Sequence, residues 1–132
     1  MDWRGTGKSS VKVNRKTRFG YHEIITLELP EIINYIRATH PDNPIYLLGH
    51  SLGGQIGLLY TALNQQMISG AILVAAGSNY YKNLKVPRRF GRYFNLKLIG
   101  WITYLCGYFP GDKLGFAGKE SKIMIGDWLH EA

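Results

Sequence analysis

The sequence predicts an α/β fold with a short parallel sheet, and three observations carry that expectation. Residues 45–48 form a wholly apolar run that ends in a glycine-rich turn. Apolar positions at helical spacing follow the turn, and a second apolar run occupies 71–76. Buried parallel strands read as continuous apolar runs of this kind. Strand, helix and strand in that order make one right-handed βαβ unit.

The other elements follow from local pattern. Residues 1–20 read as a loop, rich in glycine and basic residues and without a sustained period. Ile25, Leu29, Ile32, Ile33 and Ile36 recur at helical spacing, but Pro30 lies among them. Proline has no N–H to donate, and its ring crowds the preceding turn. A short helix is therefore expected before Pro30, and a main helix over 30–39 with Pro30 in its first turn. Pro41 and Pro44 end that segment. After Ser51, the positions Leu52, Ile56, Leu59 and Leu63 mark one face of a helix. Beyond Gly77 the chain becomes aromatic and basic, through Tyr80, Tyr81, Arg88, Arg89, Phe90 and Tyr93. Phe94, Leu98, Trp101, Ile102, Leu105 and Phe109 then form a helical stripe, with Lys97, Gly100, Tyr104 and Gly107 on the other side. Residues 107–118 read as loop and 120–130 as a last helix.

Composition narrows the function classes. A chain of 132 residues is one domain or a piece of one. Hydrophobic content of 45% is enough for a core and argues against a disordered chain. Cys106 is the sole cysteine, so no internal disulfide forms. With no signal peptide evident, a cytoplasmic location is the default expectation. The longest apolar stretch, 94–109, contains Lys97 and is shorter than the ~20 residues of a spanning helix, so no transmembrane segment is expected. The net charge of +7 gathers in two clusters, Arg4 to Arg18 and Lys82 to Lys97, and no acidic residue lies between Asp42 and Asp112. Such clusters suit solvated loops or an anionic partner. No nucleic-acid motif accompanies them, so nucleic acid is not expected as a partner, while peripheral membrane contact stays open. No metal or cofactor site is expected.

The chemistry concentrates in Gly49-His50-Ser51-Leu52-Gly53, between the first strand and its helix. A G-x-S-x-G run in that context is a nucleophile elbow. The serine sits at a strained backbone position, and small neighbours let strand and helix approach; Gly49, Gly53 and Gly54 supply the clearance. The backbone N–H of Leu52 then points to where an oxyanion would form. His50 adjoins the serine, but neighbours on a sharp turn point in different directions, so it is expected to pack beside the site. Arg4-Gly5-Thr6-Gly7-Lys8-Ser9 invites comparison with a phosphate loop. That motif needs a further glycine at position 2, where Asp2 stands, and an apolar strand before it; nucleotide binding is not expected.

Asp2 to Ser9, then a helix, then Gly49 to Gly54, resembles the middle of an α/β-hydrolase. Residues 75–78 with Tyr80, and 107–111, are similar to a bacterial group related to serine aminopeptidases and monoacylglycerol lipases. The resemblance implies Ser51 as nucleophile, the Leu52 N–H as half of an oxyanion hole, and 78–118 as a cap whose apolar stripe lines or covers an acyl pocket. It also implies a triad in the order serine, acid, histidine. The first acid after Ser51 is Asp112 and the sole later histidine is His130. Asp127 and His130 stand three apart on the last predicted helix, as a surface pair would.

Members of that superfamily are longer, so the chain is expected to be a central fragment: a core over 1–77, a cap-like segment over 78–118 and a truncated helix over 119–132. A serine hydrolase acting on an ester, thioester or amide is the leading expectation, with a small-molecule acyl substrate. The isolated chain is expected to be nearly inactive and to self-associate through bare sheet edges. The alternative is a non-catalytic α/β-hydrolase-like binding module.

Overall fold

The computed structural model describes residues 2–78 and 80–130. They fall into two compact units: Tyr21–Gly77, and residues 2–20 together with the described residues from 78 onward.

The first unit holds the expected βαβ arrangement. Its helical segment runs through α1 (Tyr21–Glu23), a π turn (Ile24–Glu28) and α2 (Leu29–Thr39), with Pro30 in the first turn of α2. The π turn explains how the chain passes Pro30 without a break. Its wider loop, closed by Leu29 N–H donating to the carbonyl of Ile24, relieves the crowding that a proline ring imposes on the turn before it. Arg37 ends the segment by donating to the carbonyls of Pro41 (3.0 Å), Asn43 (2.9 Å) and Met67 (3.1 Å). One guanidinium thereby fixes the loop that feeds the first strand.

β1 (Tyr46–His50) pairs in parallel with β2 (Gly70–Val74), in a register that runs from Tyr46 opposite Gly70 to His50 opposite Val74. Helix α3 (Leu52–Leu63) connects them. Ile24, Ile33, Ile56 and Tyr60 form the centre of this unit's core.

Two expectations change here. The strands were expected to be buried, yet Leu48 is 71% and Ile72 52% exposed, because among the described residues nothing covers that face of the two-stranded sheet. The buried face of α3 is also not the one its large residues suggest. Ile56 is buried, but Leu63 is 72% exposed and Leu59 is exposed. The buried positions are Gly54, Ile56, Gly57 and Tyr60 instead, with Gly54 and Gly57 toward the strands. Glycines shorten the distance between helix axis and sheet, so the small residues mark the contact.

The second unit is built around α4 (Arg88–Cys106), preceded by a 3₁₀ turn (Tyr81–Asn83) and ended by Gly107 in the left-handed conformation. The expected loop over 107–118 contains β3 (Tyr108–Pro110) and the short α5 (Gly111–Leu114). β3 pairs antiparallel with β4 (Lys119–Ser121), which leads into α6 (Lys122–His130). Three-residue strands are too short to show alternation, and Pro110 reads as a strand breaker. That is why this hairpin-like pair is silent in the sequence.

Residues 2–20 join this unit rather than the βαβ unit with which the sequence grouping had placed them. Arg15 Nε donates to the carbonyl of Cys106 (2.8 Å), and Ser121 Oγ donates to the carbonyl of Phe19. The same Ser121 oxygen accepts from the Met124 N–H (3.1 Å), so this buried hydroxyl caps α6 as well.

The stripe of α4 is likewise turned. Phe94, Leu98, Trp101 and Leu105 are exposed, and Leu96 and Thr103 are the buried positions. Gly100, 3.3 Å from Leu129 Cδ1 at the place its Cβ would occupy, lets α6 come close on that side. No helix among the described residues is long and apolar enough to cross a membrane.

Candidate active site

β1 ends at His50 and α3 begins at Leu52, so the chain reverses on Ser51 alone. Ser51 takes φ 51° and ψ −121°, a conformation that L-residues rarely adopt and that costs of order 1–3 kcal/mol. Hydrogen bonds on both sides hold it there. Its N–H donates to the carbonyl of Val74 (2.8 Å) on the neighbouring strand. Its carbonyl accepts from Gly54 (3.0 Å) and Gln55 (3.1 Å) in the first turn of the helix. The serine side chain stays exposed, and among the described residues its hydroxyl makes no hydrogen bond.

The corner demands glycine at two positions. A Cβ on Gly49 would overlap the backbone of Gly53 and Gly54, and one on Gly54 would overlap the Ala76 methyl and approach the Gly49 carbonyl oxygen at 2.9 Å. The spacing in the sequence pointed to Gly49 and Gly53 as the clearance pair. In the structure Gly49 closes on the backbone of Gly53 and Gly54, and Gly54 closes on Ala76 and the Gly49 carbonyl.

Two further residues serve the corner. Ala75, just past β2, also has a positive φ of 51°. Strain at a second non-glycine residue beside Ser51 has no signature in sequence, since alanine is not a residue that such a conformation selects. Gln55 accepts from Tyr21 Oη (3.1 Å) and donates through Nε2 to the carbonyl of Gly77 (3.0 Å). It ties the chain leaving β2 to the start of α3. Leu52 opens α3, so its N–H has no acceptor within the helix and faces outward with the positive end of the helix dipole. His50, the last residue of β1, is exposed.

The family model for the alpha/beta hydrolase fold matches residues 1–98, which includes this corner. The chain belongs to that family. It is similar to the monoglyceride lipases of Rattus norvegicus and Mus musculus, each 34% identical over 53 residues. The matched stretch is 40% of this chain and 18% of each lipase, so only a small part of those relatives' length is represented. No solved structure gives a significant match.

In this α/β-hydrolase, the described acids and histidine that follow Ser51 all sit in the second unit. Residues 52–77, which complete the unit of Ser51, contain no Asp, Glu or His. Asp112 faces solvent and pairs with Lys119 at 3.8 Å. Asp127 lies on α6 with its carboxylate against Gly20, and His130 is exposed at the end of that helix. Among the described residues no group of three His, Cys, Asp or Glu side chains could hold a metal ion.

The glycine-rich loop near the start is folded on itself. Lys8 N–H donates to Asp2 Oδ2 (3.0 Å), and Gly7 closes over the same carboxylate. A carboxylate thus occupies the place where a phosphate loop would cradle its anion. The second unit also holds a cavity of about 600 Å³ between the 3₁₀ turn, α4 and α6. Its walls come from Lys97, Gly100 and Tyr104, the side of α4 opposite the large-residue stripe, together with Trp101.

Proposed function

We propose that this chain carries the nucleophile of a serine hydrolase that acts on a carboxylic ester, thioester or amide. The observation that supports the reading is Ser51 alone on a strained turn between a parallel strand and a glycine-lined helix. In that geometry Ser51 Oγ adds to the substrate carbonyl carbon while its proton passes to a base. The oxyanion meets the outward N–H of Leu52, and collapse expels the leaving group with that proton. Water then adds to the acyl carbon, giving its proton to the base, and collapse releases the acid and returns that proton to Ser51 Oγ. His50 is exposed, and as the residue before the nucleophile on a sharp turn it is not assigned as the base. The two relatives, being named monoglyceride lipases, favour an acyl ester as substrate class. The unpaired Cys106 fits a cytoplasmic setting.

Loss of a triad member leaves only ~10³–10⁴-fold rate enhancement over water, and the unit of Ser51 supplies neither acid nor base after the serine. Slow turnover by the isolated chain belongs to this reading. The test is therefore covalent. A fluorophosphonate probe applied to the intact protein in its own cell lysate should label the peptide that bears Ser51, and Ser51→Ala should remove the label. A folded protein that takes no label would replace the hydrolase by a non-catalytic binding module of the same fold.

The exposed strand face, with Tyr46 and Leu48 outward and one unpaired edge on each strand among the described residues, supports self-association of the isolated chain. Sedimentation velocity at two concentrations should show mass rising with concentration; a constant monomer mass would argue against it.

A further inference from the structure

We propose that the cavity of the second unit binds a small amphiphile with an alkyl chain and a single carboxylate, and that Lys97 receives the carboxylate. The volume of about 600 Å³ falls within the range of small-molecule sites. Its lining is mostly apolar: Leu96 and Leu129 flank Gly100, whose missing side chain lets Leu129 approach α4, and Trp101 forms an exposed wall. Lys97 is the one lining residue with a formal charge, and no salt bridge to it exists among the described residues.

Three features select the charge and shape of the occupant. First, the rings of the three lining tyrosines are already attended by the protein's own cations. Lys97 Nζ lies 5.5 Å from the Tyr93 ring, Lys122 Nζ 4.8 Å from Tyr104, and Arg89 5.8 Å from Tyr81. Second, no acidic residue occurs anywhere between Asp42 and Asp112, so the elements carrying most of the lining offer no negative charge. The local field therefore favours an anion. One lysine balances a monoanion, whereas a phosphate dianion calls for several donors. Third, Tyr81 and Tyr93 meet at 5.2 Å with a 55° tilt, so they present an angled wall and no parallel slot for a flat ring. An alkyl chain fits such a wall.

This inference does not depend on Ser51. Isothermal titration of the full chain with decanoate below its micelle concentration should give saturable binding, with decanol and decyltrimethylammonium weaker. Lys97→Met should weaken decanoate about tenfold while leaving decanol unchanged, the loss of one charge-assisted hydrogen bond. Lys97→Arg should retain the affinity, and Ser51→Ala should not alter it. Equal binding of decanol and decanoate, tighter binding of the cationic amphiphile, no binding at all, or a Lys97→Met chain that binds decanoate as before would each overturn the proposal.

Discussion

Replacing Gly49 by alanine is expected to cost about 4 kcal/mol or more, enough to abolish cooperative folding of a marginally stable unit. The reason lies in how sharply β1 turns into α3. With a single residue, Ser51, between them, the last turn of the strand lies directly on the first turn of the helix. A methyl group on Gly49 would overlap Gly53 and Gly54, and those are backbone atoms of the helix start, where Gly54 N–H is held by the Ser51 carbonyl. Backbone has no rotamer by which to step aside, so the overlap must be relieved by moving helix from strand. Gly57, in the second turn of the same helix, provides the control. A Cβ there meets only Leu47 Cβ at 4.0 Å, an ordinary contact. Gly57→Ala should therefore stabilise by about 0.5–1 kcal/mol, the usual gain of alanine over glycine inside a helix. Urea denaturation followed by far-ultraviolet circular dichroism reads both variants. Opposite signs are expected, and a Gly49→Ala chain within about 1 kcal/mol of the parent would sink the close approach.

These two glycines also show what the sequence could and could not convey. The order of strand, turn, helix and strand was legible because it rests on contiguous apolar runs and a motif with a backbone rationale. The position of Ser51 was legible for the same reason, and so was Pro30 in the first turn of its helix. Which helix face is buried was not. The buried face of α3 mixes Gly54 and Gly57 with Ile56 and Tyr60, and that of α4 is Leu96 and Thr103, so neither follows the stripe of large apolar residues. Leu63 on α3 and Phe94, Leu98 and Leu105 on α4 are left outward as a result. The strained Ala75 and the long-range half of Ser121's role were silent, because neither depends on neighbours in sequence. Ser121 acts on Phe19, which is distant along the chain and adjacent only in space.

Glu120 should make the chain less stable as the pH rises from 5 to 8. It lies on β4 opposite Phe109 of β3, and burial lifts its carboxyl from 4.5 to about 7. Its neighbours do not offset that cost. Lys119, the adjacent cation, is turned to Asp112 at 3.8 Å, and no salt bridge to Glu120 exists among the described residues. Between pH 4.5 and 7 the folded chain therefore holds a proton at Glu120 that the unfolded chain has released. Stability then falls with pH, because the native state binds the extra proton. The contribution is complete below about 4.5 and is lost as the pH passes through about 7. Glu120 is only partly shielded from water, so the loss is expected at about 1–2 kcal/mol, below what full burial would give. Glu120→Gln keeps the shape and removes the ionisation. Its stability should match that of the parent at about pH 4 and exceed it by that amount at pH 8, measured by urea denaturation at both values. Histidines titrate over part of the same range, but they are common to both chains and cancel in the difference. Parallel stability profiles for parent and variant would mean that the Glu120 carboxylate is solvated in the folded chain, and that the β3–β4 pair opens to water at its position.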